Sequence, residues 1–398
     1  MFTQSKSLED DQGMTPHHIR QFNRRLVLKL LYQHKDLRKS ELAKLTQLSI
    51  PAVTNILDSL DHEGWIEQHN HQRPLRGKSK GTFRVSKSRC DTICIYISPK
   101  QLRAIIVDNE IRPISSMVCH KIEPQTPESM LEDIIAIIVD IRQSVDVRPY
   151  RLALACHGQV DTLSGTSLHM SQVPWKEGIE LKYLLEQRLG VDVLIDNDCV
   201  MIALAEKWIS KIQQGDYCIL NVDYGIGSSF LIGNEIYRGR HFRSGQIGHT
   251  IVAPDGELCG CGRRGCLETL ASLKAIENTY NQYNSASYAS FLDILHRYHE
   301  GEPLAEQIVS KTAIVIGQSL YNFLVTLDIN QIILYGASCQ FGDKWLKIIS
   351  NQTLANPFEP DSSLKNDQTL IRFGKLNDEE LLVGISYLWV EKELENLR

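Results

Sequence analysis

The chain has 398 residues, 42% hydrophobic and 23% charged, the balance of an ordinary globular protein long enough for two or three domains. No stretch approaches the roughly 18 apolar residues that span a membrane, and the start, with Lys6, Glu9, Asp10 and Asp11, lacks the apolar segment of a secretion signal. The expectation is a cytoplasmic protein with no membrane insertion, and the net charge of −5 is uneven: residues 1–86 carry 14 Lys and Arg against 9 Asp and Glu, so a basic module on an acidic body points to a polyanionic partner.

Residues 19–33 place Phe22, Leu26, Leu28, Leu30 and Leu31 near helical spacing. A second short helix is predicted over residues 40–46, with Ser40 as its N-cap. A third begins after Ser49, whose hydroxyl can cap it, with Pro51 in the first turn where a missing N–H costs nothing. Val53, Leu57 and Leu60 form its inward face. Ser49, Pro51, Ala52, Thr54 and Asn55 are left on the outward N-terminal side, the part of a recognition helix that reaches base edges in the major groove. The helix ends near Gly64. Residues 65–67 and 82–85 read as two strands, joined by a polar loop carrying Arg73, Arg76, Lys78 and Lys80. A hairpin with a basic tip behind a recognition helix is a wing, suited to phosphate and minor-groove contacts. Residues 1–85 therefore read as a winged helix-turn-helix that binds double-stranded operator DNA, resembling those of bacterial repressors. A small helical dimerisation module is the plainer alternative.

Residues 86–398 have a different texture. Strands are predicted over 92–98 and 103–107, a helix over 130–144, a strand over 151–156, a helix over 182–189 and a strand over 191–195. The two-strand start recurs at 217–222 and 229–232, and 332–335 is a later strand. Strands alternating with helices make this an α/β domain, and the repeated start predicts two similar lobes. Most of the ten cysteines lie singly in apolar segments, as Cys94, Cys156 and Cys218 do, and are expected to be reduced and buried.

Residues 244–272 carry the strongest chemical signal. His249 precedes Cys259-Gly260-Cys261-Gly262-Arg263-Arg264-Gly265-Cys266. Three thiolates and one imidazole make a closed tetrahedral zinc set, and the glycines let a short loop turn three sulfurs onto one ion. With no coordination position left open, Zn2+ is expected in a structural role.

The run G-x-I-G-H followed by C-x-C-G-x-x-G-C-L-E-T resembles the signature of the ROK family, the repressors, open reading frames and kinases, and the resemblance covers nearly the whole chain. It implies an actin-like fold of two α/β lobes around a cleft. It also implies what a ROK kinase needs, beginning with a D-x-G-G-T turn that cradles phosphate. Counting back from Asp108, that turn falls at Tyr96-Ile97-Ser98-Pro99-Lys100, which lacks the carboxylate and both glycines. Pro99 also removes a backbone donor. Gly225-Ile226-Gly227 and Gly336 keep fragments of the other nucleotide-side motifs. Phosphoryl transfer depends on positioning phosphate and metal, so no enzymatic activity is expected.

The sugar side implied by the resemblance is fuller. Asp196-Asn197-Asp198 resembles the family's E-N-D, with Asp198 at the position of the catalytic base. Glu268 matches a sugar-binding glutamate, and His249 is placed to touch sugar with one ring nitrogen and zinc with the other. Gln246 stands where the family carries glutamate, an amide that donates as well as accepts. Residues 171–175 lack the asparagine that kinases tend to show four residues before the tryptophan. Asn197 and Asp198 also suit a plain helix N-cap before residues 202–208.

Together these features read as a sugar-controlled transcriptional regulator, a repressor by resemblance, acting as a homodimer or tetramer on a palindromic operator. The effector is a sugar, a sugar phosphate or a sugar-transport protein. In the last case Arg263 and Arg264 on the zinc loop are candidate contacts. The rival reading is a working sugar kinase with a DNA-binding appendage.

Overall fold

The computed structural model describes residues 15–69, 81–87, 89–145, 149–170, 172–210, 215–284, 288–329, 331–353 and 370–397. The chain opens with α1 (Pro16–His34), capped by Thr15, which buries Val27, Leu28, Leu31 and Tyr32. Next comes α2 (Lys39–Thr46), where Ser40 lies inside the first turn rather than at the cap. Glu41 supplies the end instead, accepting from the Arg38 amide at 2.7 Å. A carboxylate reaching back in this way satisfies a helix-start donor as well as a hydroxyl does. Helix α3 (Ile50–His62) is capped by Ser49, whose Oγ accepts from the Ala52 amide at 3.4 Å, and it buries Val53, Ile56, Leu57 and Leu60. The antiparallel pair β1 (Ile66–His69) and β2 (Thr82–Val85) follows, with Phe83 bridged to Leu37 between the first two helices.

Two five-stranded sheets come next, built on one plan. The first contains β3 (Asp91–Ile97), β4 (Gln101–Val107), β5 (Val118–Lys121), β6 (Tyr150–Cys156) and, beyond a small hairpin of β7 (Gln159–Asp161) and β8 (Thr166–His169), β9 (Val193–Asn197). Its order is β5-β4-β3-β6-β9, with α4 (Pro127–Arg142) and α5 (Leu181–Leu189) in the connections. Helix α6 (Asp198–Trp208) leads to the second sheet, which begins with β10 (Tyr217–Val222), β11 (Ile226–Ile232) and β12 (Glu235–Tyr237). After α7 (Leu267–Ala271), α8 (Leu273–Tyr283), α9 (Phe291–His299) and α10 (Pro303–Leu327) come β13 (Gln331–Tyr335), α11 (Asp343–Thr353) and β14 (Leu370–Phe373). The order β12-β11-β10-β13-β14 repeats that of the first sheet, and both add two parallel strands to an antiparallel meander. Helices α12 (Asp378–Gly384) and α13 (Tyr387–Asn396) close the chain.

Side-chain alternation decides which helices each sheet face receives. Ile93, Ile95 and Ile97 pack with α4 and α5, whereas Cys94 points to the opposite face. In the second sheet Leu220 and Val222 pack with α8 to α11, whereas Tyr217 and Ile219 face α6. Helices α6, α12 and α13 therefore fill the space between the two sheets. Contrary to the expectation that no stretch comes near a membrane span, α10 is long and apolar enough to cross one, alone among the described residues. It is instead the core helix of the second lobe, with Val309, Ala313, Ile316 and Leu320 buried. The free thiols of Cys94, Cys156 and Cys218 are buried, as expected.

The three-helix head docks on the body through α1 and α13. Tyr32 donates to Glu393 Oε2 at 2.9 Å, and Arg151 at the start of β6 holds Glu393 Oε1 at 2.6 Å. Nearby, Arg89 lies 3.5 Å over the Trp65 ring, and the buried Glu110 carboxylate sits 3.2 Å from Lys87 and 3.5 Å from Arg112.

Candidate functional site

A cleft of about 740 Å³ lies between the lobes. All five residues expected on the sugar side, Asn197, Asp198, Gln246, His249 and Glu268, line it. Strands β6 and β9 are parallel neighbours with Cys156 opposite Asn197, so their carboxyl ends deliver His157 and Asp198 side by side. His157 Nδ1 lies 3.0 Å from Asp198 Oδ2. Burial alone would lower the His157 pKa, but the bonded Asp198 carboxylate, aided by Glu268 and Asp223, outweighs it and the net shift is upward. The carboxyl group at the base position is thus already engaged by a side chain of the protein. Asn197 caps α6, accepting from the Cys199 amide at 2.8 Å, and its amide donates to the Gly158 carbonyl. Glu268 accepts from the Ile226 amide at 3.1 Å and so ties α7 to the turn between β10 and β11.

His249 and the three cysteines gather beside this cleft. Their ligand atoms all lie within 4.8 Å of one another, with His249 Nδ1 3.5 Å from Cys259 Sγ and Cys261 Sγ 3.6 Å from Cys266 Sγ. Tetrahedral zinc bound by sulfur and imidazole needs ligand atoms about 3.5–3.8 Å apart. The donor set and its spacing therefore fit that ion. Gly265 shows why the loop is rich in glycine. Its φ is +68°, and a Cβ there would sit 1.4 Å from the Ala253 carbonyl oxygen. Arg263 and Arg264 are exposed on the same loop.

The nucleotide-side turns are closed by the protein's own groups. In the turn between β3 and β4, Ser98 Oγ donates to the Gln101 carbonyl at 2.8 Å and accepts from its amide at 3.2 Å. Tyr96 occupies the carboxylate position, with the Arg103 guanidinium 4.8 Å over its ring. In the second lobe Asp223 takes the amides of Tyr224 at 2.8 Å and Ala337 at 3.2 Å. The Asp223 side chain thus ties the turn between β10 and β11 to the loop after Gly336.

Comparison with known proteins decides the family. The model of the ROK family matches residues 92–392, and that of the MarR family matches residues 23–73. The chain belongs to the ROK family. This ROK protein is 43% identical to YphH of Escherichia coli (strain K12) over 388 residues, covering 95% of this chain and 98% of YphH. It is 25% identical to the DNA-binding transcriptional dual regulator NagC of the same strain, over 80% of this chain and 81% of NagC. Its fold is that of a ROK family transcriptional regulator described as a homologue of the E. coli MLC protein, with a TM-score of 0.77, 20% identity, and coverage of 96% and 98% of the two chains.

The MarR match falls on the head of this ROK protein. Ser49, Pro51 and Asn55 are exposed at the start of α3, with Ala52 and Thr54 half-buried. Ile50, which the sequence reading passed over, is 55% exposed on the same turn, an apolar group available to a thymine methyl. Arg73, Arg76, Lys78, Lys80 and Ser171 lie outside the described residues. Ser49→Ala removes the α3 cap and is expected to lower stability by about 1 kcal/mol, read as a shift in the urea midpoint. An unchanged midpoint would mean that water replaces the cap at no cost.

His157 is the residue that sequence reasoning missed. The available signal was a polar side chain placed directly after a buried strand, where α/β proteins put ligand contacts.

Proposed function

We propose that this ROK protein is a DNA-binding transcriptional repressor of sugar-utilisation genes whose operator affinity is set by a sugar bound in the interlobe cleft. Residues 1–85 read the operator, residues 86–398 sense the effector, and a cytoplasmic homodimer or tetramer is the working form. The observation that carries the reading is the contrast within one cleft. Its sugar side gathers Asn197, Asp198, Gln246, His249 and Glu268. Its nucleotide side has Tyr96 in place of a carboxylate and turns bonded to themselves. A fold that keeps the sugar wall and fills the phosphate cradle suits sensing better than phosphoryl transfer. The likeness to NagC over four-fifths of both chains supports the same reading.

His249, Cys259, Cys261 and Cys266 would hold one structural zinc ion, which fixes the loop bearing His249 and, two residues beyond Cys266, Glu268. For the effector to release DNA it must bind the DNA-free conformation more tightly, by a coupling of about 1–3 kcal/mol. Asp198→Ala tests the scheme on an operator fragment selected from random DNA. Operator affinity is expected to stay at the wild-type value while release by sugar disappears. Release that persists in this variant counts against the cleft as the sensing site. Sugar-dependent ATP hydrolysis by the wild type would move the reading to the kinase.

A further inference from the structure

A turn of the body, residues 108–112 at the end of β4, meets the head and the linker through three successive residues. Asn109 Nδ2 donates to the Ser86 carbonyl at 2.8 Å. Lys35, at the end of α1, donates to the Glu110 carbonyl. The Glu110 carboxylate lies 3.2 Å from Lys87 in the linker, 3.9 Å from Arg84 on β2 and 3.5 Å from Arg112 in the turn itself. Ile111 is buried in the continuous core that runs from Tyr32 and Val85 in the head to Cys94 and Val107 in the body.

The body builds this turn from its own groups. Strand β4 is paired on both sides, with β3 and with β5. Asp108 Oδ1 accepts from the Glu110 and Arg112 amides, both at 2.9 Å, and the Ile111 amide donates to the Asp108 carbonyl at 2.9 Å. Ile111 has a φ of +60°, a costly conformation for a β-branched residue. Glycine would serve better if the turn only reversed the chain. Burial of the isoleucine side chain is what offsets the strain.

Glu110 is a second anomaly. Its side chain is 1% exposed, yet neither carboxylate oxygen has a hydrogen bond among the described residues. A buried charge must be offset by partners, and here they are the cations around it. Arg84 belongs to the head and Lys87 to the linker, so departure of the head would strip the carboxylate of both. Desolvation consumes much of the attraction in such a cluster, which therefore fixes geometry more than it adds affinity.

We propose that residues 108–112 are a wedge that sets the orientation of the head on the body, with Glu110 and Ile111 as its positioning residues. With the wedge seated, the two heads of a dimer present their recognition helices at one spacing. Without it each head swings on its linker. The inference rests on the DNA-binding reading for what the head does, but not for how the head is held.

Two measurements on the full-length, zinc-loaded protein test it. The first needs no DNA: the rate of trypsin cleavage after Lys87 and Arg89, followed by mass spectrometry, tracks the population of undocked heads. Glu110→Gln keeps the shape and removes the charge, and is expected to speed this cleavage at least about tenfold. Ile111→Gly leaves every charge in place and relieves the backbone, and is expected to do the same, so it decides the matter if the glutamine variant does not fold. Cleavage within residues 92–392 is expected to stay at the wild-type rate, and an equal rise there would reduce the wedge to ordinary stability. The second measurement uses pairs of a half-site selected from random DNA, with the spacing changed by half a helical turn, about 5 base pairs. The wild type is expected to prefer one spacing at least about tenfold and both variants by less than about threefold, because a flexible tether reaches either face of the duplex. Wild-type cleavage rates in both variants overturn the wedge. Faster linker cleavage with the spacing preference retained overturns its role in positioning. A wild type that binds no DNA sinks the repressor reading, and the cleavage rates still decide the wedge.

Discussion

Arg151→Met will loosen the head from the body and lower unfolding stability by about 3–5 kcal/mol, the range for a buried carboxylate stripped of its partner. Arg151 holds Glu393 at 2.6 Å, donates to Thr92 Oγ1 at 3.1 Å and lies 4.6 Å over the Trp389 ring. Its side chain is 9% exposed and that of Glu393 is 12% exposed, so water cannot take over the vacated bond without disturbing the packing. The other Glu393 oxygen accepts from Tyr32, whose phenol is pushed well above its usual pKa by burial first and then by this carboxylate. Tyr32→Phe, which removes only that neutral donor, is expected to cost about 1 kcal/mol. Urea unfolding of the full-length variants reads both numbers. An Arg151→Met midpoint equal to that of the wild type would mean the pair adds nothing over well-packed apolar groups.

The same ion pair stands where two rigid elements from the cleft arrive. Strand β6 runs from beside Arg151 to Cys156 and hands over to His157. Helix α6 starts at Asp198 and ends at Trp208, whose ring stacks 5.0 Å from that of Tyr387 on α13. Lys207 and Trp208 both contact Glu391, further along α13. A ligand that shifts His157 and Asp198 therefore pushes on elements that end at the helix carrying the head. Loss of Arg151 is expected to weaken the response of operator affinity to sugar as well as stability, whereas Asp198→Ala affects only the response.

Local signals were legible in the sequence and non-local ones were not. Helix α3 was readable because Ser49, Pro51 and the spacing of Val53, Leu57 and Leu60 all lie within a dozen residues. Ser40 misled because a hydroxyl beside a glutamate leaves two possible caps, and Glu41 supplied the one formed. The gathering of His249, Cys259, Cys261 and Cys266 was readable because the three cysteines occupy one short loop. His157 was hidden because its meaning depends on Asp198, 41 residues away, and on the parallel pairing of β6 with β9. Helix α10 escaped because its apolar residues run without a clear period, as in any helix surrounded by protein. The edge strands β5 and β14 bury no residue, so they carry no strong pattern.

Removing the zinc ion proposed for this cluster is expected to have the largest effect of all. The segment from Thr250 to Cys266 has little regular structure, only the isolated pairings of Ile251 with Cys266 and of Leu258 with Arg264. The segment is held by backbone hydrogen bonds such as Val252 to Gly265 and Cys259 to Arg263, with Val252 packed on the second-lobe core. Zinc contributes about 10–16 kcal/mol to the folding of small zinc-dependent domains. Here the flanking β11 and α7 are fixed by other contacts, so a smaller share, about 5 kcal/mol or more, is expected. Cys266→Ser or dialysis against a chelator should reduce the zinc content from one ion per chain to near zero and lower the melting temperature by at least about 10 °C. Sugar binding should vanish at the same time, because His249 and Glu268 lose their shared anchor. Cys119→Ser, which changes an exposed thiol far from the cluster in sequence, should leave all three readouts unchanged. A chelated protein that melts normally yet fails to bind sugar would assign the metal to the cleft rather than to the stability of the loop. One that keeps both properties would reduce the four residues to an ordinary hydrogen-bonded cluster.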